Sequence, residues 1–223
     1  MKYGESIFDI LYLLFAIISG IVLFAKAKDR AGKLMGFAAL ILGCGDAFHL
    51  VPRVLNYFVE ADFTAALGIG KLVTSVTMTV FYVLLYYVFL EYYREPAKTS
   101  VKIAVWIFAA LRVILCTFPQ NGWIENGGTL TWAILRNIPF IALGAVICWL
   151  YLKNRTERRR FGLVWLYILL SFAFYIPVAV GAGYVPMLGM LMLPKTVCYI
   201  LMIVTFLLAV LKRDENEKTT NKN

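Results

Sequence analysis

Hydrophobic residues occur in seven long runs that are separated by short polar connections. The runs cover residues 7–25, 34–58, 64–90, 101–118, 129–152, 161–184 and 187–211. A helix that crosses a bilayer needs about 20 mostly apolar residues, and the runs are near or above that length. The pattern therefore predicts an all-α, polytopic membrane protein with seven transmembrane helices, numbered here as spans one to seven.

Composition and charge sharpen this prediction. The chain is 61% hydrophobic with a mean hydropathy of +0.78, which leaves no room for a separate soluble domain. Sixteen of its 22 Lys and Arg residues lie in the connections AKAKDRAGK, REPAKTSVK and KNRTERRR and in the tail KRDENEKTTNKN, whereas VEADF, QNGWIENGG and GYVPM contain none. Basic connections face the cytoplasm. We therefore expect an N-out, C-in, multi-pass protein of the cell membrane, and no nucleic-acid partner despite the net charge of +9.

An internal repeat is suggested because spans one to three resemble spans five to seven at a nearly constant offset. An offset of 124 residues pairs Gly20 with Gly144 and Lys71 with Lys195. The resulting parallel three-plus-one-plus-three arrangement resembles that of sugar transporters of the SWEET kind, nicotinamide-riboside carriers and microbial rhodopsins. It predicts a first three-helix repeat at 1–95, a linker helix and outer loop at 96–128, a second repeat at 129–213 and a disordered cytoplasmic tail at 214–223.

Five cations interrupt the apolar runs, each in a different span: Arg53, Lys71, Arg112, Arg136 and Lys195. At the helical rise of 1.5 Å per residue, Arg53 lies about 6 Å below the predicted outer boundary and the other four roughly 9–12 Å below it. Ionisable residues inside a membrane commonly mark a ligand or ion pathway. Within the runs only Asp9 and Asp46 can neutralise these cations, so the surplus predicts a site for a small anion or a lipid phosphate.

Other polar residues extend the predicted pocket. Asp46 and His49 share one face of span two, and Gly43 and Gly45 beside them permit close approach of neighbouring helices. The full set of predicted ligand-binding residues is Lys71, Arg112, Arg136, Lys195, Asp46, His49, Ser75 and Tyr199. We expect transport of the anion rather than sensing, because no cytoplasmic domain is present to relay a signal. Asp46 and His49 would tune the charge or bind a coupled proton.

Two structural alternatives account for the same cations without a ligand. Their side chains can extend to the outer headgroups, which is easiest for Arg53. They can also pair internally, Asp46 with Lys195 or Lys71, and Asp9 with Arg53 or Arg112. We expect no metal, because His49 is the single histidine and metal sites need several ligands.

An enzymatic alternative rests on the sequence GDAF at residues 45–48, which resembles a motif of lysoplasmalogenases. That resemblance implies a membrane-embedded lipid hydrolase in which Asp46 and His49 activate water while the cations hold a lipid phosphate. The second acidic motif of that family has no counterpart in LLSFAFYIPVAV, and the chain has seven spans rather than eight. Lys195 is similar in placement to the lysine of microbial rhodopsins, but Lys71 stands where their acidic counter-ion would be, so we expect no cofactor.

Overall fold

The computed structural model describes residues 2–157 and 161–220, with side chains except at 186 and 212–220. Each of seven α-helices in these ranges is long and apolar enough to cross a membrane. This confirms the seven predicted spans and indicates an integral membrane protein. The helices are α1 (Lys2–Lys26), α2 (Arg30–Phe58), α3 (Thr64–Tyr93), α4 (Thr99–Thr117), α5 (Leu130–Lys153), α6 (Val164–Gly181) and α7 (Met192–Thr220).

The helices form a closed ring in chain order. Each helix packs against the next one, and α7 closes the ring against α1. Two further contacts, of α3 with α5 and of α2 with α7, fill the interior. We call the end at which α1 begins the N-terminal end, and the opposite end, with the Lys- and Arg-rich connections, the basic end.

The polarity of α1 is reversed relative to that of a helix in a soluble protein. Its exposed stripe is apolar, with Ile7, Leu11 and Ile18 each more than half exposed. Its buried face instead contains Asp9 and Ser19. Helical spacing separates the two faces, so Asp9 and Ser19 point into the ring beside buried apolar residues such as Leu13, while the outer stripe is apolar.

Small residues allow α2 to lie very close to both neighbours, as predicted for Gly43 and Gly45. A Cβ atom on Gly43 would lie 3.0 Å from the Cβ of Ala16 in α1. One on Gly45 would overlap the side chain of Thr77 in α3, and one on Gly70 would overlap the backbone of α2. These contacts fix α2, and with it the polar face of span two, between α1 and α3.

Several helix ends differ from the predicted ones. α1 starts at Lys2 rather than at residue 7, because its first turn contains polar residues that the hydropathy pattern excluded. A 3₁₀ helix at Pro186–Leu191 precedes α7, which delays its start to Met192. α7 ends at Thr220, beyond the predicted end of the seventh apolar run at residue 211.

Candidate functional site

Arg112 is the most deeply buried of the five predicted cations. Its side chain is 2% exposed, and its Nε and Nη1 atoms are buried without a hydrogen-bond partner. The guanidinium carbon lies 5.2 Å from the centre of the Phe140 ring on α5. An aromatic face attracts a cation but supplies no acceptor for its N–H groups. The Nε and Nη1 groups of Arg112 therefore have no acceptor inside the helix ring.

Arg136, one helix away, is oriented by neutral groups rather than by an acid. Its Nη1 donates to Oδ1 of Asn121 at 2.7 Å, and its Cζ lies 4.5 Å from the centre of the Trp123 ring. Asn121 is itself fixed, because its Nδ2 donates to the carbonyl oxygens of Leu115 and Phe118 at 2.8 Å. The loop after α4 thus fixes this guanidinium, which is near enough to that of Arg112 for the two positive charges to repel each other. We call Arg112 and Arg136 the guanidinium pair.

Lys195 is 7% exposed, and it lies between two tyrosine side chains inside the ring of helices. Its Nζ is 5.0 Å from the centre of the Tyr175 ring and 5.2 Å from that of Tyr199. The hydroxyl of Tyr175 donates to Oδ1 of Asn137 at 2.8 Å, which links α6 to α5. Tyr199, one of the predicted residues, is 2% exposed. It contacts Lys195 through the face of its aromatic ring.

Asp46 is held by a residue that the sequence did not indicate. Its Oδ2 accepts a hydrogen bond from the hydroxyl of Tyr12 at 2.6 Å, and Tyr12 is 2% exposed on α1. Asp46 also interacts electrostatically with Lys195, one of its two predicted partners. His49, on the same face of α2, has a buried Nδ1 atom with no hydrogen-bond partner. Its charged surroundings are Lys71, Arg53 and Lys195.

A third acid, Glu5, lies within α1 close to the two predicted acids Asp9 and Asp46. Arg53 forms a salt bridge with Glu5 and also interacts electrostatically with Asp9, its predicted partner. The hydroxyl of Tyr57 donates to Glu5 Oε2 at 3.0 Å. Asp9 is 5% exposed, and its Oδ2 atom has no hydrogen-bond partner. We call Glu5, Asp9 and Asp46 the carboxylate cluster.

Lys71 has surroundings unlike those of Lys195, its counterpart in the predicted repeat. It is exposed, and its Nζ donates to Oδ1 of Asn126 in the loop between α4 and α5 at 2.7 Å. Ser75, also a predicted site residue, donates its hydroxyl to the carbonyl oxygen of Lys71 at 2.7 Å. Its hydroxyl proton is thus used within α3, and only its oxygen lone pairs remain for a ligand.

Five of the eight predicted site residues are basic and lie close enough to repel one another when charged. His49 interacts with Lys71 and Lys195, Lys71 interacts with Arg136, and Arg136 interacts with Arg112. Among the described residues, no carboxylate lies within 4.0 Å of Lys71, Arg112, Arg136 or Lys195. The carboxylate cluster lies on α1 and α2 and the guanidinium pair on α4 and α5, so the two charges are on different sides of the ring. In the part of the chain that the structure describes, the guanidinium pair therefore has no acid of its own within 4.0 Å.

Tyr12, Asn121 and Tyr175 help to position the site and were not among the predicted residues. Tyr12 lies inside an apolar run, where residue type alone does not show which face points inwards. Asn121 lies in a connection without periodicity, and Tyr175, like Tyr12, lies inside an apolar run. Comparison of the chain with models of known protein families, with curated proteins and with solved structures gave no match. The function therefore has to be inferred from the geometry of this site.

Proposed function

We propose that this integral membrane protein binds a small anion in the polar interior of its N-terminal end and transports it across the membrane. The observation that supports the proposal most strongly is Arg112, whose guanidinium is buried with two nitrogens unpartnered. Leaving buried polar groups unsatisfied costs about 1–3 kcal/mol each, and more when they are charged. An anion bound by the guanidinium pair would remove that cost.

The surroundings of the pair favour an anion over an internal acid. Asp46 is engaged by Tyr12, and Glu5 is engaged by Arg53. Neither carboxylate is within 4.0 Å of Arg112 or Arg136 in the described part of the chain. Bidentate guanidinium groups are well suited to phosphate and carboxylate oxygens. The anion is therefore proposed to contain a phosphate or a carboxylate.

Transport rather than simple binding is proposed from the helix arrangement and the charges. The N-terminal end lacks basic connections and would face outwards, with the chain N-out and C-in in the cell membrane. Helices α1 to α3 and α5 to α7 each pack consecutively, as two parallel repeats joined by α4 would. Asp46 and His49 lie near Lys195 and would bind a coupled proton.

The lipid-hydrolase alternative is less favoured, because among described residues no hydrogen bond joins Asp46 to His49.

The proposal is tested by ligand-dependent thermal unfolding of the purified protein in detergent. The panel contains inorganic phosphate, dicarboxylates, nucleotides and lysolipids. A binding anion at 100 times its Kd should stabilise the protein by about 2.7 kcal/mol. Arg112→Met and Lys195→Met should abolish that response, whereas Arg155→Met, at an exposed arginine of the basic end, should retain it.

Uptake of the stabilising anion into proteoliposomes then separates transport from binding. Wild-type protein should equilibrate the anion across the membrane, and Arg112→Met should not. Release of a cleaved product from a lysolipid would instead favour the hydrolase. A full stabilising response in both Arg112→Met and Lys195→Met would refute the anion site.

A further inference from the structure

A cleft at the basic end has features that the anion site does not use. It lies where α3 ends, α4 begins and α5 ends, and its volume is about 50 Å³. Arg94 adopts a left-handed backbone conformation with φ of 58°, which turns the chain sharply after α3. That turn brings Glu95 and Lys98 to the rim of the cleft, opposite Lys153 at the end of α5.

One buried polar group in the cleft has no partner within the protein. Tyr86 on α3 is 1% exposed, lines the cleft, and its hydroxyl is buried without a hydrogen-bond partner. A buried hydroxyl without a partner is unfavourable, so its presence here points to a ligand that supplies an acceptor or donor. This observation is independent of the charges at the rim.

The start of α4 adds donors for an anion. Lys98 is the N-cap of α4, no side-chain cap bond is formed there, and the first turn contains no acid. The first amide N–H groups of this 19-residue helix therefore lack intrahelical partners and point towards the basic end. Phosphate groups bind readily at such helix ends.

Apart from Asn154, the remaining surface of the cleft is apolar. Leu90, Val101 and Leu150 line it, together with the ring of Trp149, which is 51% exposed. The Nζ of Lys153 lies 5.6 Å from the centre of that ring. Tryptophan and lysine at a helix end are typical of the headgroup level of a membrane.

We propose that this cleft binds the phosphodiester headgroup of an anionic phospholipid. The phosphate lies between Lys98, Lys153 and the start of α4, the hydroxyl of Tyr86 donates to it or to the adjoining ester oxygen, and the acyl chains follow the apolar surface into the bilayer. Lys98, Lys153 and Glu95 together give the cleft a net charge of +1. That charge matches a headgroup with one negative charge, such as a phosphatidylglycerol headgroup, better than a zwitterionic one.

The test measures bound lipid by native mass spectrometry of the full chain, with equal amounts of phosphatidylglycerol and phosphatidylcholine of identical acyl chains. Wild-type protein should retain phosphatidylglycerol at least 5-fold over phosphatidylcholine, because a lysine near an anionic headgroup contributes roughly 5-fold in affinity and Lys98 and Lys153 are both exposed at this site. The double variant K98Q/K153Q should lose that preference. The control K26Q/K33Q, which removes two exposed lysines of α1 and α2 from the same end, should keep it.

The same measurement is made on one further variant and with one competing ligand. Tyr86→Phe keeps the ring and should reduce phosphatidylglycerol retention while leaving the fold and the rim charges intact, so it reports on the cleft even where K98Q/K153Q is poorly produced. Glycerol phosphate, which has no acyl chains, should not compete with the lipid at equal concentration. Equal loss of preference in K26Q/K33Q and K98Q/K153Q, full retention in Tyr86→Phe, or competition by glycerol phosphate would each overturn the lipid site.

Discussion

The two ends of the helix ring are built differently. Near the basic end, the interior is aromatic: the ring of Phe161 stacks on Tyr92 at 3.9 Å, and the hydroxyl of Tyr151 donates to the carbonyl oxygen of Leu85 at 3.0 Å. Near the N-terminal end, the interior contains Arg112 and Asp9, both buried with unpartnered polar atoms. Close packing stabilises a fold, whereas unpaired buried charge destabilises it. The comparison indicates that close aromatic packing is concentrated near one end of the molecule and buried charge without a partner near the other.

The largest effect is expected from a cavity in the aromatic end. Phe161 is fully buried, so Phe161→Ala should lower the free energy of unfolding by about 3–5 kcal/mol. The matched control is Phe24→Ala, because Phe24 is 50% exposed towards lipid and lipid can fill the space it leaves. Reversible unfolding in mixed micelles measures both. Equal losses for the two variants would mean that the aromatic end does not dominate stability.

The next largest effect concerns the position of α2. A Cβ on Gly70 would overlap the backbone of α2 near His49, so Gly70→Ala should destabilise the protein by about 1–3 kcal/mol. It should also weaken the anion response, because α2 contains Asp46 and His49. Gly4→Ala is the control, since nothing lies within 4 Å of a Cβ at that position. Unfolding and ligand-dependent stabilisation are measured on the same samples, and an unchanged Gly70→Ala protein would disprove the tight contact.

Much of this fold was predictable, because the hydropathy of a membrane span is averaged over about 20 residues and does not depend on the position of any single one. The number of helices and the close approach at Gly43 and Gly45 both followed from the sequence. Finer features did not follow. Glu5 was missed because it precedes the apolar run although α1 extends over it. Asn121 was missed because a loop has no periodicity from which the direction of a side chain can be inferred.

A gain in stability is expected where the unpartnered cation is removed. Arg112→Met replaces a buried guanidinium by an apolar chain of similar length, and should raise the free energy of unfolding by about 1–2 kcal/mol in the absence of anion. The same change at Arg136 should give a smaller gain, because Arg136 donates to Asn121 and contacts Trp123. The free energies of unfolding of both variants and of the wild-type protein are measured in buffer without anions that could bind the site. A loss of stability in Arg112→Met would show that the protein itself satisfies this guanidinium.

The smallest effect is expected for the salt bridge that separates Arg53 from the other four cations. The side chains of Glu5 and Arg53 are 22% and 27% exposed, so the pair is partly screened by solvent and should contribute about 1 kcal/mol or less. Glu5→Gln and Arg53→Met should therefore each cost little. In a double-mutant cycle, a coupling of a few tenths of a kcal/mol or more would show that the two side chains are paired rather than extended separately to the headgroups.

The anion response should persist in Glu5→Gln, in Arg53→Met and in the double variant, because Arg53 already has an acid as its partner whereas the guanidinium pair does not. Strictly additive losses would favour headgroup contact for Arg53, and loss of the anion response in Arg53→Met would place this arginine with the guanidinium pair.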